Sequence, residues 1–490
     1  MEKALKSVSS QILSISALSV SLLLFHTYFI SSNKKRALKE SKNGTKARPK
    51  APPMVKEGCV ETIKILTAKD SLDYMIRAAR ELKSQVYRLN IHFLFGAPMF
   101  VVVGDGKLAR EIFSDPLTIK NDRYGALAGI TKGIDSVITS RGGSYWHSRR
   151  KAVSPAFSSK HVKRMNRIAS QKINEWIQTK LETCVKNDEA FDVGVEMINL
   201  TLDVISEAAF EYDMSEDEKK LFQTELKLCC EEFAMKSVMN PLRKYFGLFI
   251  KERRRAHVAA DRLEKLSLKI IDTYKKYDNP SKDTIIDRIM KNDAYKNDNE
   301  RAADITTFLI AGHDTTAHSI AWIMKELAKN PKEQEKLRHS LLSTERENWQ
   351  QLDTLRNVIK EGLRLHPVAG AGVGRTILRD YITDDNLFLK KGSIILLPLI
   401  VQFHNHNVYK DPESFLPSRW DDPTKEMNDS LTPFIVGPRN CVGSSLANAE
   451  INTIIPAICS QFEFELEEEG YMDNFLTMKT INTMIKVKKL

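Results

Sequence analysis

Apolar residues recur along this chain with a helical period far more often than with a strand period. The longest periodic run is Asn299–Lys329, where Ile305, Phe308, Leu309, Ile320, Ile323, Met324 and Leu327 return at spacings of three and four and Asn330-Pro331 closes the pattern. A second helix is predicted over Asp353–Leu365, stopped ahead of Pro367 because proline disfavours helical geometry in the residue before it. Beyond Gly443 the spacing of Leu446, Ala449, Ile451, Ile454 and Ile455 predicts another, and Pro456 within it predicts a kink or an early end. Most of 160–345 carries the same period, with a charge-rich amphipathic stretch over Ser215–Arg255. Alternation is rarer. Phe100–Val103 predicts a short strand ended by Gly104-Asp105-Gly106, and Tyr381–Leu389 and Ile394–Val401 predict strands on either side of a Lys391-Gly392 turn. The pattern predicts a large helical body with a small sheet component, free of internal repeats from residue 60 onward.

The first residues follow a different rule. Ile12–Ile30 is apolar apart from serines, His26 and Thr27. As a helix of about 20 residues it is long enough for ~30 Å of hydrocarbon. Lys34, Lys35, Arg36, Lys39, Lys42, Lys46, Arg48 and Lys50 follow it, against only Lys3 and Lys6 ahead. That excess predicts a single-pass span with the body on the cytosolic side. The expected organisation is an N-terminal membrane anchor over 1–33, a basic, proline-rich linker over 34–58 and a catalytic domain over 59–490. A cleaved signal peptide fits less well, because the apolar stretch is long and has no A-x-A site. A transit peptide is a further alternative.

Net charge is +11, which favours an acidic protein partner or an anionic lipid surface. Nucleic acid is not expected as a partner, since no basic stretch is interleaved with aromatics as in a known binding module. The six cysteines contain no C-x-x-C pair, which argues against a zinc site or redox dithiol, and Cys229-Cys230 reads as two packed thiols on a helix.

Four stretches carry candidate chemistry. In Phe434-Ile-Val-Gly437-Pro-Arg439-Asn-Cys441-Val-Gly443, a sulfur precedes a helix N-terminus, whose partial positive charge favours thiolate. Such a sulfur is a metal ligand or a nucleophile, and Arg439 beside it suits an anionic group; an inert buried cysteine is the bland alternative. Ala311-Gly-His-Asp-Thr-Thr316 puts an acid and two hydroxyls inside an apolar helix, costly unless they are paired or face a cavity. Gly312 costs roughly 1 kcal/mol against alanine there, so something is expected to approach the backbone. The bland alternative is an aspartate facing solvent, with threonines bonded to their own helix. Glu361 and Arg364 share a helix face and, taken alone, read as a surface pair worth ~0.3–0.5 kcal/mol. Trp146 and Arg150, four apart, can reach one anionic group.

Together these stretches resemble the cytochromes P-450. Phe434, Gly437, Arg439, Cys441 and Gly443 match the family's F-x-x-G-x-R-x-C-x-G haem loop position by position, and the likeness runs from about residue 60 to the C-terminus. The resemblance implies a mainly α cytochrome P-450 fold, a large helical domain with a small β-rich subdomain, preceded by a single N-terminal transmembrane helix. It implies haem b (iron protoporphyrin IX) with Cys441 as axial ligand of the iron. Trp146, Arg150, Ala311, Arg375, Phe434, Arg439 and Gly443 are the implied cofactor-binding residues. Asp314 and Thr315 are the implied proton-delivery pair. Glu361 and Arg364 are implied to lock structurally onto Arg419 of Phe415-Leu-Pro417-Ser-Arg419-Trp420, where Ser418 replaces the family's usual glutamate. The expected activity is a monooxygenase that inserts one atom of O2 into a small lipophilic substrate such as a fatty acid or sterol. Electrons would come from NADPH through a separate cytochrome reductase, since no flavin or nicotinamide domain is legible here; the basic residues near Arg149, Lys151 and Arg439 are its expected docking face. The expected partners are that reductase and a lipid membrane, the endoplasmic reticulum being the expected location. Substrate choice is expected to lie in 120–135, 205–250 and the strand after Arg375. The rival activities are a haem-thiolate isomerase or dehydratase of lipid peroxides, and a non-enzymatic membrane interaction protein.

Overall fold

The computed structural model describes residues 49–58, 61–62, 70–91, 99–122, 124–237, 240–247, 249–474 and 477–490. The expected membrane helix lies outside the described residues, as does the linker through Arg48. Among the described residues, no helix is long and apolar enough to cross a membrane.

Eight helices position the site: α1 (Gly143–Val153), α2 (Ser159–Trp176), α3 (Val193–Phe210), α4 (Glu216–Cys229), α5 (Lys251–Lys275), α6 (Asp298–Lys329), α7 (Asp353–Leu365) and α8 (Ser444–Cys459). The periodic run of the sequence forms one unbroken helix, α6. The Asn297 side chain caps it by accepting from the Glu300 amide. Its two halves serve two cores. Ile305, Phe308 and Leu309 pack with Ile205 of α3, Phe222 of α4 and Leu263 and Ile270 of α5. Ile320, Ile323, Met324 and Leu327 pack with Val358 and Ile359 of α7 and Ile454 and Ile458 of α8. Close approach needs a glycine on each side. A Cβ at Gly312 would stand 2.8 Å from Ile205 Cγ1, and one at Gly362 would stand 2.4 Å from Ile323 Cγ1. The neighbour that Gly312 anticipates is therefore the α3 side chain Ile205. Helix α8 continues past Pro456 to Cys459, so the early end expected there does not occur.

Among the described residues, the strands of three residues or more are β1 (Val86–Leu89), β2 (Phe100–Val103), β3 (Thr118–Lys120), β4 (Val373–Ile377), β5 (Ile394–Leu397), β6 (Phe462–Glu468), β7 (Tyr471–Asn474), β8 (Met478–Ile481) and β9 (Met484–Lys489). The larger sheet has the order β1-β2-β5-β4-β3. Its β2–β5 pair is parallel, and all four residues of β2 are buried. At its far edge β3 pairs antiparallel with β4, setting Lys120 opposite Arg375. At the C-terminal end β7 and β8 form an antiparallel ladder, while β6 pairs with β9.

Two expectations change here. Tyr381–Leu389 is a hairpin of two short strands, Tyr381–Ile382 and Phe388–Leu389, because Asp384-Asp385-Asn386 turns the chain between them. Val401 belongs to a short helix, Leu399–Phe403, that follows Pro398. The chain also joins the folded body at Lys50, inside the segment assigned to the linker. Lys50 bridges to Leu387, Met54 bridges to Arg88, and the Pro52 carbonyl accepts from Arg88 Nε at 2.7 Å.

Candidate functional site

The loop ahead of α8 is a tight cradle for one sulfur. Gly437 has φ +82°, and a Cβ there would stand 2.1 Å from the Phe113 carbonyl oxygen, so only glycine lets the loop lie this close. Ile435 also adopts a left-handed backbone, at φ 60°. The Asn440 amide donates to Gly437 O at 3.0 Å and the Cys441 amide to Phe434 O at 2.9 Å, which closes the turn. The Cys441 side chain is exposed, whereas the other described cysteines are buried. Burial of the sulfur's surroundings raises its pKa, and the Gly443 amide and Arg150 oppose that without reversing it. A coordinated metal would add charge that favours thiolate.

Opposite lies the middle of α6. Ile310, Ala311, Gly312 and Thr315 are half-buried, although the helix to either side is buried. The accessible stretch marks a gap in an otherwise packed region. Phe157 links the two walls: its ring centroid is 6.4 Å from that of Phe308, and a Cβ at Gly443 would lie 3.9 Å both from Phe157 Cε1 and from Cys441 Sγ. Val442 and Ile310 pack against the same apolar cluster.

Four cations gather beside this gap. Arg439 lies on the Trp146 ring, 3.7 Å from its centroid, and donates to Ser140 O at 2.9 Å. Burial, Arg375 and Arg150 push its pKa down to about 10. Arg375 is buried on β4, donates to the neighbouring Gly374 carbonyl at 3.0 Å, also meets the Tyr124 hydroxyl, and is lowered by burial. Lys120, buried on β3, donates to Ile138 O and lies 4.4 Å from the Tyr124 ring centroid. Burial, then Arg375 and Arg439, hold it well below the usual lysine range. Arg150 donates to Asn440 Oδ1 at 2.9 Å. Among the described residues none of the four has a carboxylate partner. Clustered, desolvated cations without counter-charge are unfavourable unless an anion completes the site. A sulfur donor, an apolar gap and cations enough for two carboxylates fit haem with its two propionates.

The expected acid–hydroxyl pair is divided between two partners. Thr315 Oγ1 donates to Ala311 O at 2.8 Å. Asp314 is 5% exposed and turns the other way. Its Oδ1 takes Lys479 Nζ at 2.6 Å and its Oδ2 takes Thr477 Oγ1 at 2.5 Å. Burial alone would raise this carboxyl, but Lys479 and the two nearby histidines hold it far below the ordinary carboxylate range. Asp314 and Thr315 are therefore not hydrogen-bonded to each other, since successive helix residues do not share a face.

Glu361, Arg364 and Arg419 come together away from the gap. Glu361 and Arg364 are fully buried, which replaces the exposed surface pair that the spacing alone suggests. Arg364 donates twice to the carboxylate, each bond 2.9 Å. Arg419 Nε, Trp420 Nε1 and the Leu416 amide also donate to it, again at 2.9 Å. Arg364 further donates to the carbonyls of Phe403 and Pro412 at 2.9 and 2.7 Å. Every lone pair of the buried carboxylate has a donor, the condition for tolerating it in the interior.

Lys120, Thr477 and Lys479 escaped the sequence reading. Lys120 is legible only through its register opposite Arg375. Thr477 and Lys479 lie more than 160 residues from Asp314 and announce themselves only by alternation along β8.

Comparison with known proteins places these features in context. The family model described as Cytochrome P450 matches residues 72–488. The human protein named Cytochrome P450 4F8 is 27% identical over 350 residues, covering 65% of this chain and 67% of the relative. Taurochenodeoxycholic 6 alpha-hydroxylase of Sus scrofa is 26% identical over 349 residues, covering 66% and 68%. Cytochrome P450 4e2 of Drosophila melanogaster is 27% identical over 416 residues, 76% of each chain. The matched spans thus cover about two thirds to three quarters of these relatives. The crystal structure of a cytochrome P450 (CYP102L1) superposes with a TM-score of 0.73 at 23% identity, covering 85% of this chain and 97% of that one, which establishes the likeness of fold.

Proposed function

Because this chain belongs to the cytochrome P450 family, we propose that it is a haem-dependent monooxygenase that places one atom of O2 into a lipophilic acid of the fatty-acid or sterol-derived class. The observation that carries this reading is the exposed Cys441 side chain, held by the Gly437 turn beside four cations that have no carboxylate partner among the described residues. Cys441 would hold the iron, and Arg439, Arg375, Arg150 and Lys120 would hold the two propionates, with Trp146 keeping the Arg439 guanidinium planar to the site. Bound there, haem b supplies dioxygen binding and O–O cleavage, which thiolate ligation favours.

The chain's own residues do the rest. The Thr315 hydroxyl sits on the half-buried face of α6, where it can donate a proton once it leaves the Ala311 carbonyl. Asp314, ionised and held by Lys479 and Thr477, would renew that proton only after taking one up from solvent and turning back toward Thr315. Ile310, Ala311, Phe157 and Phe308 make the wall apolar and limit water. The acidic head of the substrate is argued from the basic net charge and from the pig relative, whose name specifies a bile-acid conjugate. Electrons from NADPH through a separate reductase, and a membrane anchor formed by Ile12–Ile30 at the endoplasmic reticulum, complete the proposal.

Cys441→Ser tests it. The reduced carbon monoxide complex should lose its thiolate-type absorption, and a retained spectrum would remove Cys441 as ligand. Product formation that needs neither NADPH nor O2 would favour the isomerase or dehydratase alternative.

A further inference from the structure

The group that grips Asp314 comes from the opposite end of the chain, and its strand is built to present it. Thr477 and Lys479 are two apart, so their side chains leave the strand on one face, and both reach the Asp314 carboxylate. Met478 between them points the other way. Its side chain is buried with Leu72, and a Cβ at Gly370 would lie 2.3 Å from its sulfur. Both of its backbone groups are also engaged: the Met478 amide donates to Val368 O at 2.8 Å, and its carbonyl accepts from Trp322 Nε1 of α6 at 2.9 Å. The strand is thus fastened to α6 through Met478 whether or not the ion pair exists. The pair is not required as an anchor.

The cluster also spans from interior to solvent. The Lys479 side chain is 23% exposed, whereas that of Asp314 is 7% exposed. His318 Nε2 lies 3.8 Å from Asp314 Oδ1, and neither ring nitrogen of His318 has a hydrogen-bond partner among the described residues. His313 and Cys230 are the other titratable groups near the carboxylate. His313 is occupied with the Leu309 carbonyl at 2.6 Å.

We infer that Lys479, assisted by Thr477, is a positioning residue for proton delivery: it holds the Asp314 carboxylate charged and turned toward β8, and its solvent-reaching ammonium controls when that carboxylate serves Thr315. The inference rests on the monooxygenase reading above and adds to it a residue from the C-terminal sheet. Without Lys479 the buried carboxylate loses its main stabilising charge. Desolvation then favours the neutral acid, with Thr477 still hydrogen-bonded to it and His318 nearby. A proton held on Asp314 in the resting protein changes the relay, and reducing equivalents leave as peroxide.

The test compares haem-loaded Lys479→Met, Lys479→Arg, Thr477→Val and Asp314→Asn, and the double variant Asp314→Asn with Lys479→Met. With NADPH, a cytochrome reductase and dodecanoate, Lys479→Met should raise peroxide formed per NADPH about tenfold, less than the roughly 10²–10⁴-fold of a lost proton-transfer group because Lys479 acts through Asp314, and Lys479→Arg should restore the wild-type ratio. In the Asp314→Asn background, Lys479→Met should add nothing, since it acts through that carboxylate. An infrared difference spectrum of the resting protein at neutral pH gives a readout independent of turnover. A protonated carboxyl band should appear in Lys479→Met and be absent in Lys479→Arg. Unchanged peroxide and no carboxyl band would overturn the inference, as would an equal Lys479→Met effect with and without Asp314. Should Lys479→Met fail to load haem, the isosteric Thr477→Val carries the test: a smaller shift in the same direction is expected, and none overturns the inference. If Asp314→Asn leaves the peroxide ratio unchanged, the proton-relay reading of Asp314 fails; the infrared band then still decides whether Lys479 holds the carboxylate charged.

Discussion

The Arg439 guanidinium lies over the Trp146 indole at 3.7 Å from the ring centroid, joining the cysteine loop to helix α1. The stack lets a cation remain half-buried while repelled by Arg375 and Arg150. A desolvated cation–π contact contributes about 0.5–2 kcal/mol. Trp146→Ala should therefore weaken haem retention roughly 2- to 30-fold. The haem fraction left after gel filtration in dilute imidazole measures it. Arg439→Lys should behave similarly, because an ammonium cannot stack as a planar fork.

Glu361 is the acceptor on which α7 and the segment around Arg419 converge. Five donors meet one carboxylate that has no access to water. Glu361→Gln leaves Arg364 and Arg419 buried without their charge partner, and breaking a buried pair in this way costs about 3–5 kcal/mol. The expected outcome is a large fall in soluble yield and in the thermal midpoint. Arg364→Lys should also be severe, because lysine cannot donate in parallel to the carboxylate while reaching the Phe403 and Pro412 carbonyls.

Gly312 separates two roles that its motif combines. Its missing Cβ leaves room for Ile205, so Gly312→Ala forces α3 and α6 apart and should cost about 1–3 kcal/mol. Ile205→Ala removes the Cγ1 and Cδ1 atoms that would clash. In the double variant much of the Gly312→Ala loss should therefore disappear, read as a non-additive shift in the thermal midpoint. An additive result would show that Gly312 is needed for something other than packing.

What the sequence disclosed divides along physical lines. Helix α6 was legible because a 3.6-residue period sustained over eight turns has no rival explanation, and α7 because Pro367 fixes its end. The hairpin at Tyr381–Leu389 was not, although four successive polar residues, Thr383–Asn386, part its two apolar pieces and mark the turn. The motif order located the cysteine loop, but not the approach of Phe113 that makes Gly437 necessary, because that segment lies more than 300 residues away in sequence. Asp314 was found and its partner was not. A lysine on a short C-terminal strand looks like a solvated charge until the ladder with β7 and the Met478 anchors turn it onto α6.

The pH dependence of stability follows from buried groups with opposing signs. Burial, then repulsion from Lys479 and His313 against the pull of Asp314, holds His318 at about 4. Burial, with Arg364, His366 and Arg80 nearby, holds His404 at about 3. Both would titrate near 6.5 when unfolded, so between about 6.5 and 4 the unfolded chain binds more protons and stability falls as pH falls. Asp304 acts in reverse. It accepts from the Val137 amide and the Tyr295 hydroxyl, each at 2.7 Å, and lies 3.6 Å from Arg149 Nη1. Burial nevertheless raises it to about 6, so between about 4 and 6 the native state binds more protons and gains stability as pH falls. Asp314 contributes nothing in this window, because its folded pKa is depressed and its stabilisation is lost only below about 3.9. His313 and His366, also lowered by burial, act with His318 and His404, and Glu450, raised well above the ordinary carboxylate range by burial, acts with Asp304. The buried histidines outnumber these carboxyls, so stability should fall from pH 6 to 4.5. Thermal midpoints measured at steps across that range should decline. His318→Leu, which also removes two ring nitrogens without a hydrogen-bond partner among the described residues, should make the decline shallower, and Asp304→Asn should steepen it. A midpoint that rises on acidification in the unmodified protein would mean that the buried histidines are already protonated in the folded state.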